Sequence, residues 1–399
     1  MGLKMADLFY NATINQLRSF KEDIRLHVVH PSYVGQHRIL EDFLASPSTI
    51  YVRFVGHDLS AAQLDEQYQA AFATQMNGTS APVAVIILDE CDRAATHQLE
   101  FFLERMLSAV SKVQIWLLTR SVPEYIYRNA GLRKQSRFIP ADSSLMLVDY
   151  AQQSPDKMLL EVQSLGSGRV MLNGRLVDNW DGTLPRALFF YLVDRGMTTR
   201  SQIFDTFWPN LTTREATNVF HVTKRKISEV LGVDLTVYWS GFYHISADIQ
   251  LSYDTVLFSE MLTDSAVLPI DEAIPLFSSA IALYQGDFLT SMDMPWVQKR
   301  RDELRMSYGE VLNSLAKAVE QQGEIEQALG LYVRASSTNR QREDIARSIM
   351  SLYAEMGMID DAMATYNRLA DELDQKLGVP PSKETEELIV KIRNDPTTA

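Results

Sequence analysis

The chain has 399 residues, 46% of them hydrophobic and 22% charged, with a formal net charge of −13. That length accommodates two or three domains, and no apolar run of about 18 residues is present to cross a membrane. Its single cysteine, Cys91, excludes an internal disulfide framework and a cysteine-rich zinc site, and the acidity argues against a protein coated in nucleic acid. The opening stretch MGLKMADLFYNATINQL lacks a secretory or myristoylation signal, so a cytoplasmic protein is expected.

Residues 1–153 read as an α/β domain. Strands are predicted over Leu26–His30, Ile50–Val55, Val83–Leu88 and Val113–Leu118. Helical patterns over Gln36–Leu44, Ala61–Gln75 and Thr96–Val110 separate them, an alternation that predicts a parallel sheet covered by helices. The run VAVIILDECD has the form of a Walker B strand ending in Asp89 and Glu90, and IWLLTRSVP, with Thr119–Arg120, resembles the sensor strand of STAND-type and other ATPases. The phosphate loop decides against nucleotide chemistry. No G-x-x-x-x-G-K-[ST] occurs, and the corresponding stretch HVVHPSYVGQHRIL holds one glycine, Gly35, and no lysine. Without a cradle of backbone N–H groups and a lysine charge, Mg-ATP binds poorly. Asp89 and Glu90 are therefore read as vestigial. No metal site is expected from His27, His30, His37 and His57, which no helical spacing joins. The domain is expected to be an ATPase-like fold without cofactor or catalysis, serving sensing or protein contact.

Ser154-Pro155-Asp156 marks a boundary. Residues 154–250 then show short strands around Gly166–Gly168 and the turn Asn173–Gly174, helical stretches over Leu184–Asp194, Arg200–Phe207 and Thr213–Leu231, and a hairpin turning at Ser240–Gly241. At 100° per residue, Ala216, Val219, Phe220, Thr223, Ile227, Val230 and Leu231 share one face of the third helix. Thr212 or Thr213 caps its start, with Glu215 in the first turn. The opposite face carries Arg214, Asn218, His221, Val222, Arg225 and Glu229, flanked by Lys224 and Lys226. From Trp180 to Gln250 seven basic residues stand against seven acidic ones, so any DNA footprint is small. Trp208 and Trp239 are expected to be core aromatics.

The order RALFFYLVDRG, IFDTFWP, NVFHVTKRKISEVLG and SGFYHI resembles the DNA-binding domain of the Streptomyces antibiotic regulatory proteins and their relatives with a bacterial transcriptional activator domain. That family carries WP after the second helix, here Trp208–Pro209, and an apolar and basic pattern in the third, met here by Asn218, Phe220, Ile227 and Leu231. Ser228 and Glu229 replace the usual basic pair, and Lys224 takes a usually apolar place. The resemblance implies an OmpR/PhoB-type winged helix, the output module of phosphorelay regulators, with 214–231 as recognition helix. Base reading is assigned to Arg214, Asn218, His221 and Arg225, since Asn suits adenine and Arg guanine. Phosphate contacts are assigned to Thr183, Arg186, Thr199, Arg200, Lys224, Lys226, Ser240 and Tyr243.

Residues 251–399 are almost wholly helical. Gly323/Gly357, Ala328/Ala362 and Tyr332/Tyr366 are each 34 residues apart, the tetratricopeptide period, with Leu369 where the first unit has Ala335. Tyr332, Tyr353 and Tyr366 are read as layer-filling. Tyr284, Gly286, Asp287, Phe288, Leu289, Trp296, Arg301 and Leu304, followed by Gly378 and Pro380–Pro381, fit the segment that follows the winged helix in the same family. The resemblance covers roughly residues 160–392, and the preceding α/β domain departs from the family's usual order. It implies a DNA-binding regulator, an activator, not an enzyme. Such proteins bind double-stranded DNA as dimers on direct repeats and contact RNA polymerase or a second copy through the repeat domain. Two other readings stay open: an ATP-driven switch of the STAND type, and a repeat scaffold that never touches DNA.

Overall fold

The computed structural model describes residues 24–29, 46–76, 82–109, 112–119, 121–139 and 157–394. The expected helix 36–44, Gly35, His30, His37, Arg120 and the boundary at 154–156 lie outside them. The chain divides into two compact units. One runs to Gln163 and resumes over Arg169–Tyr253; the other takes Ser164–Gly168 and everything from Asp254.

The first unit begins with a parallel sheet. Its strands are β1 (Leu26–Val29), β2 (Thr49–Arg53), β3 (Val85–Asp89), β4 (Gln114–Leu118) and β5 (Ser136–Ile139), in the order β2-β3-β4-β1-β5. β1 and β3 are buried almost along their length, as a parallel sheet covered on both faces requires. Helices α1 (Ala61–Gln75) and α2 (Thr96–Ala109) contribute Leu64, Tyr68, Phe102 and Leu103 to the same core. Two short helices, α3 (Glu124–Arg128) and α4 (Ala130–Lys134), lead into β5.

The rest of this unit holds two more sheets and three helices. β6 (Met158–Gln163), β7 (Arg169–Leu172) and β8 (Arg175–Leu176) are antiparallel. Asn173 and Gly174 turn the second hairpin with φ of 48° and 73°, the left-handed pair that a type I′ turn needs. Then follow α5 (Thr183–Arg195), β9 (Met197–Thr199), α6 (Arg200–Phe207), α7 (Thr213–Leu231), β10 (Thr236–Trp239), β11 (Phe242–Ile245) and β12 (Ile249–Tyr253). β9 joins the β10–β11 hairpin in a three-stranded sheet, and β12 returns to pair in parallel with β6, carrying the unit past Gln250 to Tyr253. Phe220 packs α7 against α6 and the β11 strand. Its ring is fully buried, with those of Phe204, Trp208 and Tyr243 at 6.0, 6.4 and 5.1 Å. Within the unit, the Val122 N–H donates to Gly174 O at 2.8 Å, and a Cβ at Gly174 would meet that of Val122 at 2.4 Å. Only glycine fits there.

The second unit is helical: α8 (Asp254–Ser265), α9 (Ile270–Leu283), α10 (Pro295–Gln321), α11 (Ile325–Thr338), α12 (Glu343–Glu355), α13 (Ile359–Leu377) and α14 (Lys383–Asn394). α11 and α13 start 34 residues apart, each after a glycine of positive φ, Gly323 or Gly357. Ala328 and Ala362 are fully buried where helices touch, and Leu369 is buried in the place of Ala335. The Tyr332 hydroxyl donates to Glu320 and that of Tyr366 to Glu386, both at 2.6 Å, so these rings bridge layers within the repeat array. Arg301 donates to the carbonyls of Phe288, Leu289 and Met292 at 2.9–3.1 Å. Asp287 accepts from Tyr284 and Arg305. The Tyr284–Leu304 motif thus serves folding. Asp254, fully enclosed at the start of α8, accepts from the N–H groups of Ser164 and Leu165 and the Ser164 hydroxyl. No helix among the described residues is long and apolar enough to cross a membrane.

Candidate nucleic-acid interface

α7 is a self-contained helix with one buried face. Thr212 and Glu215 cap its start reciprocally, the side chain of each accepting from the backbone N–H of the other. Gly232, with φ of 70°, ends it. Ala216, Phe220, Thr223, Ile227 and Leu231 are buried, and Val219 and Val230 half-buried, as the periodicity predicts. Arg214, Glu215, Asn218, His221, Val222, Arg225 and Glu229 are exposed. Apart from Glu215 they span about 100° of helix surface. The Arg225 Nε lies 3.4 Å from Glu229 Oε1, an exposed i, i+4 pair that steadies the side chain. All four base-reading candidates thus share one exposed strip.

The phosphate candidates divide. Thr183 is exposed at the start of α5, and Arg200 is exposed with its guanidinium 5.8 Å from the Tyr238 ring. Thr199 is half-buried and caps α6 in a reciprocal box with Gln202. The Arg186 guanidinium stacks on Phe190 at 5.4 Å, and burial lowers its pKa. Lys226 pairs with Asp181 at 2.8 Å, and Lys224 lies 4.0 Å from Asp234. Each lysine would exchange a carboxylate for a phosphate. Ser240 is exposed at the hairpin tip with φ of 51°. The Tyr243 ring is 4% exposed and packed on Phe220 and Tyr238, so this phosphate candidate is mainly a core residue.

Trp239 is a correction. It is 72% exposed rather than part of the core, whereas Trp208 does pack against the rings of Phe204, Phe207 and Phe220. Strand pairing puts Trp239 opposite Phe242, and His244 between Val237 and Met197. The outer face of this small sheet is therefore apolar and nearly uncharged, which the sequence reading did not anticipate.

Asp89 and Glu90 sit at the end of β3. Asp89 accepts from the Tyr51 hydroxyl at 2.6 Å. Glu90 accepts from Arg53 and Arg93, which hold its pKa at about 2. Both acids are engaged in internal contacts, and neither is set out as a metal ligand or base. Among the described residues no cluster of His, Cys, Asp or Glu is arranged to hold a metal.

The chain joins a parallel α/β sheet to a helical-repeat domain, and residues 259–393 match the bacterial transcriptional activator domain. That domain covers about a third of the chain, and the chain is similar there to regulators built on it. It is 24% identical over 237 residues to the regulatory protein AfsR of Streptomyces griseus, covering 57% of this chain and 24% of AfsR. The match thus spans about a quarter of that relative's length. The structure of Mycobacterium tuberculosis EmbR, in complex with a low-affinity phosphopeptide, superposes with a TM-score of 0.50 at 18% identity, over 60% of this chain and 66% of EmbR. At that identity the likeness concerns the fold alone. A STAND protein with a tetratricopeptide sensor, PH0952 of Pyrococcus horikoshii, aligns with 96% of this chain and 70% of its own at 12% identity. Its TM-score of 0.20 does not establish a common fold.

Proposed function

We propose that the chain is a DNA-binding transcriptional activator whose α7 lies in the major groove. The observation that carries this reading is the exposed strip of α7, where Arg214, Asn218, His221 and Arg225 stand together on a helix whose other face is locked into a core. These side chains present donors of the kind that discriminate base edges. Three helices flanked by a four-stranded sheet and a three-stranded sheet that holds the β10–β11 hairpin support reading this region as an OmpR/PhoB-type winged helix. Thr183, Arg186, Thr199 and Arg200 at the starts of α5 and α6, Lys224 and Lys226 beside α7, and Ser240 at the hairpin tip supply the backbone grip.

The functional division is 1–153 as an ATPase-like modulating domain, 154–250 as the DNA-binding domain and 251–399 as the repeat domain. The repeat domain contacts RNA polymerase or a second copy, and two protomers side by side occupy direct repeats. The neutral balance of the DNA-binding domain supports this pairing, because one copy offers few net positive charges. The internal engagement of Asp89 and Glu90 supports regulation without catalysis. Selection of bound sequences from a pool of random duplexes by the full chain tests the reading. Enrichment of a short direct repeat is expected; an unenriched pool would refute DNA reading and leave a protein scaffold.

A further inference from the structure

From the surface of α7 we infer that Val222 is a specificity residue that reads a thymine through its C5-methyl group. The inference rests on the reading of α7 as the major-groove helix and adds to it an apolar contact beside the polar ones.

Val222 is 47% exposed, the sole apolar member of the exposed set on this helix. Nothing in the fold accounts for a valine there. The core side of α7 is filled by Phe220, Thr223 and Ile227, and Val222 points away from it. Local propensity does not favour it either, since a β-branched residue on an open helix surface is slightly worse than alanine or lysine. Its position is central: Asn218 precedes it by four residues and Arg225 follows by three, so both are its direct neighbours on the helix surface. The branched side chain is held in largely one rotamer on a helix, which fixes where its methyl groups project.

In the major groove the thymine methyl is the one apolar feature that distinguishes a base pair, and small apolar side chains are its partners. Helix neighbours about 5–6 Å apart span one to two base steps of about 3.4 Å. The thymine should therefore lie within one or two base pairs of the bases contacted by Asn218 and Arg225. An adenine contacted by Asn218 brings such a methyl into the same groove from its paired strand.

The test replaces thymine by deoxyuridine, one position at a time, in the duplex selected from the random pool, with the full chain as binder. Deoxyuridine removes the methyl and leaves the pairing intact. For wild type, one position near the centre of each half-site should cost about fourfold in affinity, the loss expected for one buried methyl group. In Val222→Ala that penalty should fall below twofold while other thymines keep theirs, and Val222→Thr, which retains a methyl, should keep the wild-type profile. Alanine at an exposed helix position maintains the fold. An identical deoxyuridine profile in wild type and Val222→Ala, or a selected site without thymine, overturns this inference alone. Failure to enrich any sequence overturns it together with the DNA-reading function.

Discussion

Substituting Asp254 by asparagine is expected to remove a pH dependence built into the second unit. Burial raises the Asp254 carboxyl from 3.8 to about 6, against hydrogen bonds from the Ser164 N–H, the Leu165 N–H and the Ser164 hydroxyl that favour its ionised form. A carboxyl whose folded pKa exceeds its unfolded value binds protons more tightly in the folded state. Its contribution to stability is therefore full below about pH 4 and is lost as the pH rises through about 6. Between pH 4 and pH 8 the loss amounts to roughly 2 kcal/mol. Asparagine titrates nowhere in this range. Its carbonyl can accept from both backbone N–H groups and its amide can donate to the Ser164 hydroxyl. Urea unfolding followed by helical circular dichroism, run on wild type and Asp254→Asn at each pH, isolates the group because every other titration cancels in the difference. The mutant should match wild type near pH 4 and exceed it by roughly 2 kcal/mol at pH 8. Asp254→Ala leaves the two buried N–H groups without that acceptor and should lose about 2–4 kcal/mol even at pH 4. A wild-type-minus-asparagine difference that is flat from pH 4 to pH 8 would refute the reasoning.

Phe220→Ala empties the contact between α7, α6 and β11 and should cost about 3–5 kcal/mol in urea unfolding, abolishing DNA binding at 37 °C. Arg225→Ala should lower discrimination between the selected duplex and random DNA by about tenfold in mobility shifts, from the roughly 1–3 kcal/mol of a bidentate contact. Unchanged sequence preference would place the base-reading face elsewhere. Tyr243→Phe should leave DNA affinity within about twofold, because the ring packs on Phe220 and Tyr238 and its main role is in the core. Lys226→Ala should reduce the slope of log affinity against log salt by about one, the signature of a phosphate contact.

How much could be read from residues alone depended on the period of each pattern. The apolar positions of α7 recur at 3.6-residue spacing for five turns, so its buried face and its boundaries followed directly. The apolar run of β3 and the glycine interval from 323 to 357 were equally explicit. Short strands were not: β9 is three residues long and exists only because β11 pairs with it, and β12 acquires its role from β6, far back in the chain. The hairpin shows why side-chain placement failed there. In a period-two strand the order of residues fixes which ones share a face but leaves open which face meets the core. The docking of β11 against α7 sent the Tyr243 ring inward and Trp239 and Phe242 outward, reversing the expected core place of Trp239. Asp254 gave no signal, since one aspartate before an apolar helix looks like an ordinary cap until Ser164 and Leu165 fold over it.

Dimethyl sulfate footprinting of the selected duplex addresses the position of α7 most directly, because the reagent methylates guanine N7, an atom that faces the major groove. Bound wild-type chain should protect one or two guanines in each half-site, and Arg225→Ala, at a concentration that restores full occupancy, should leave one of them reactive. Full occupancy with every guanine N7 as reactive as in free DNA would contradict the account, placing the duplex against some surface other than α7.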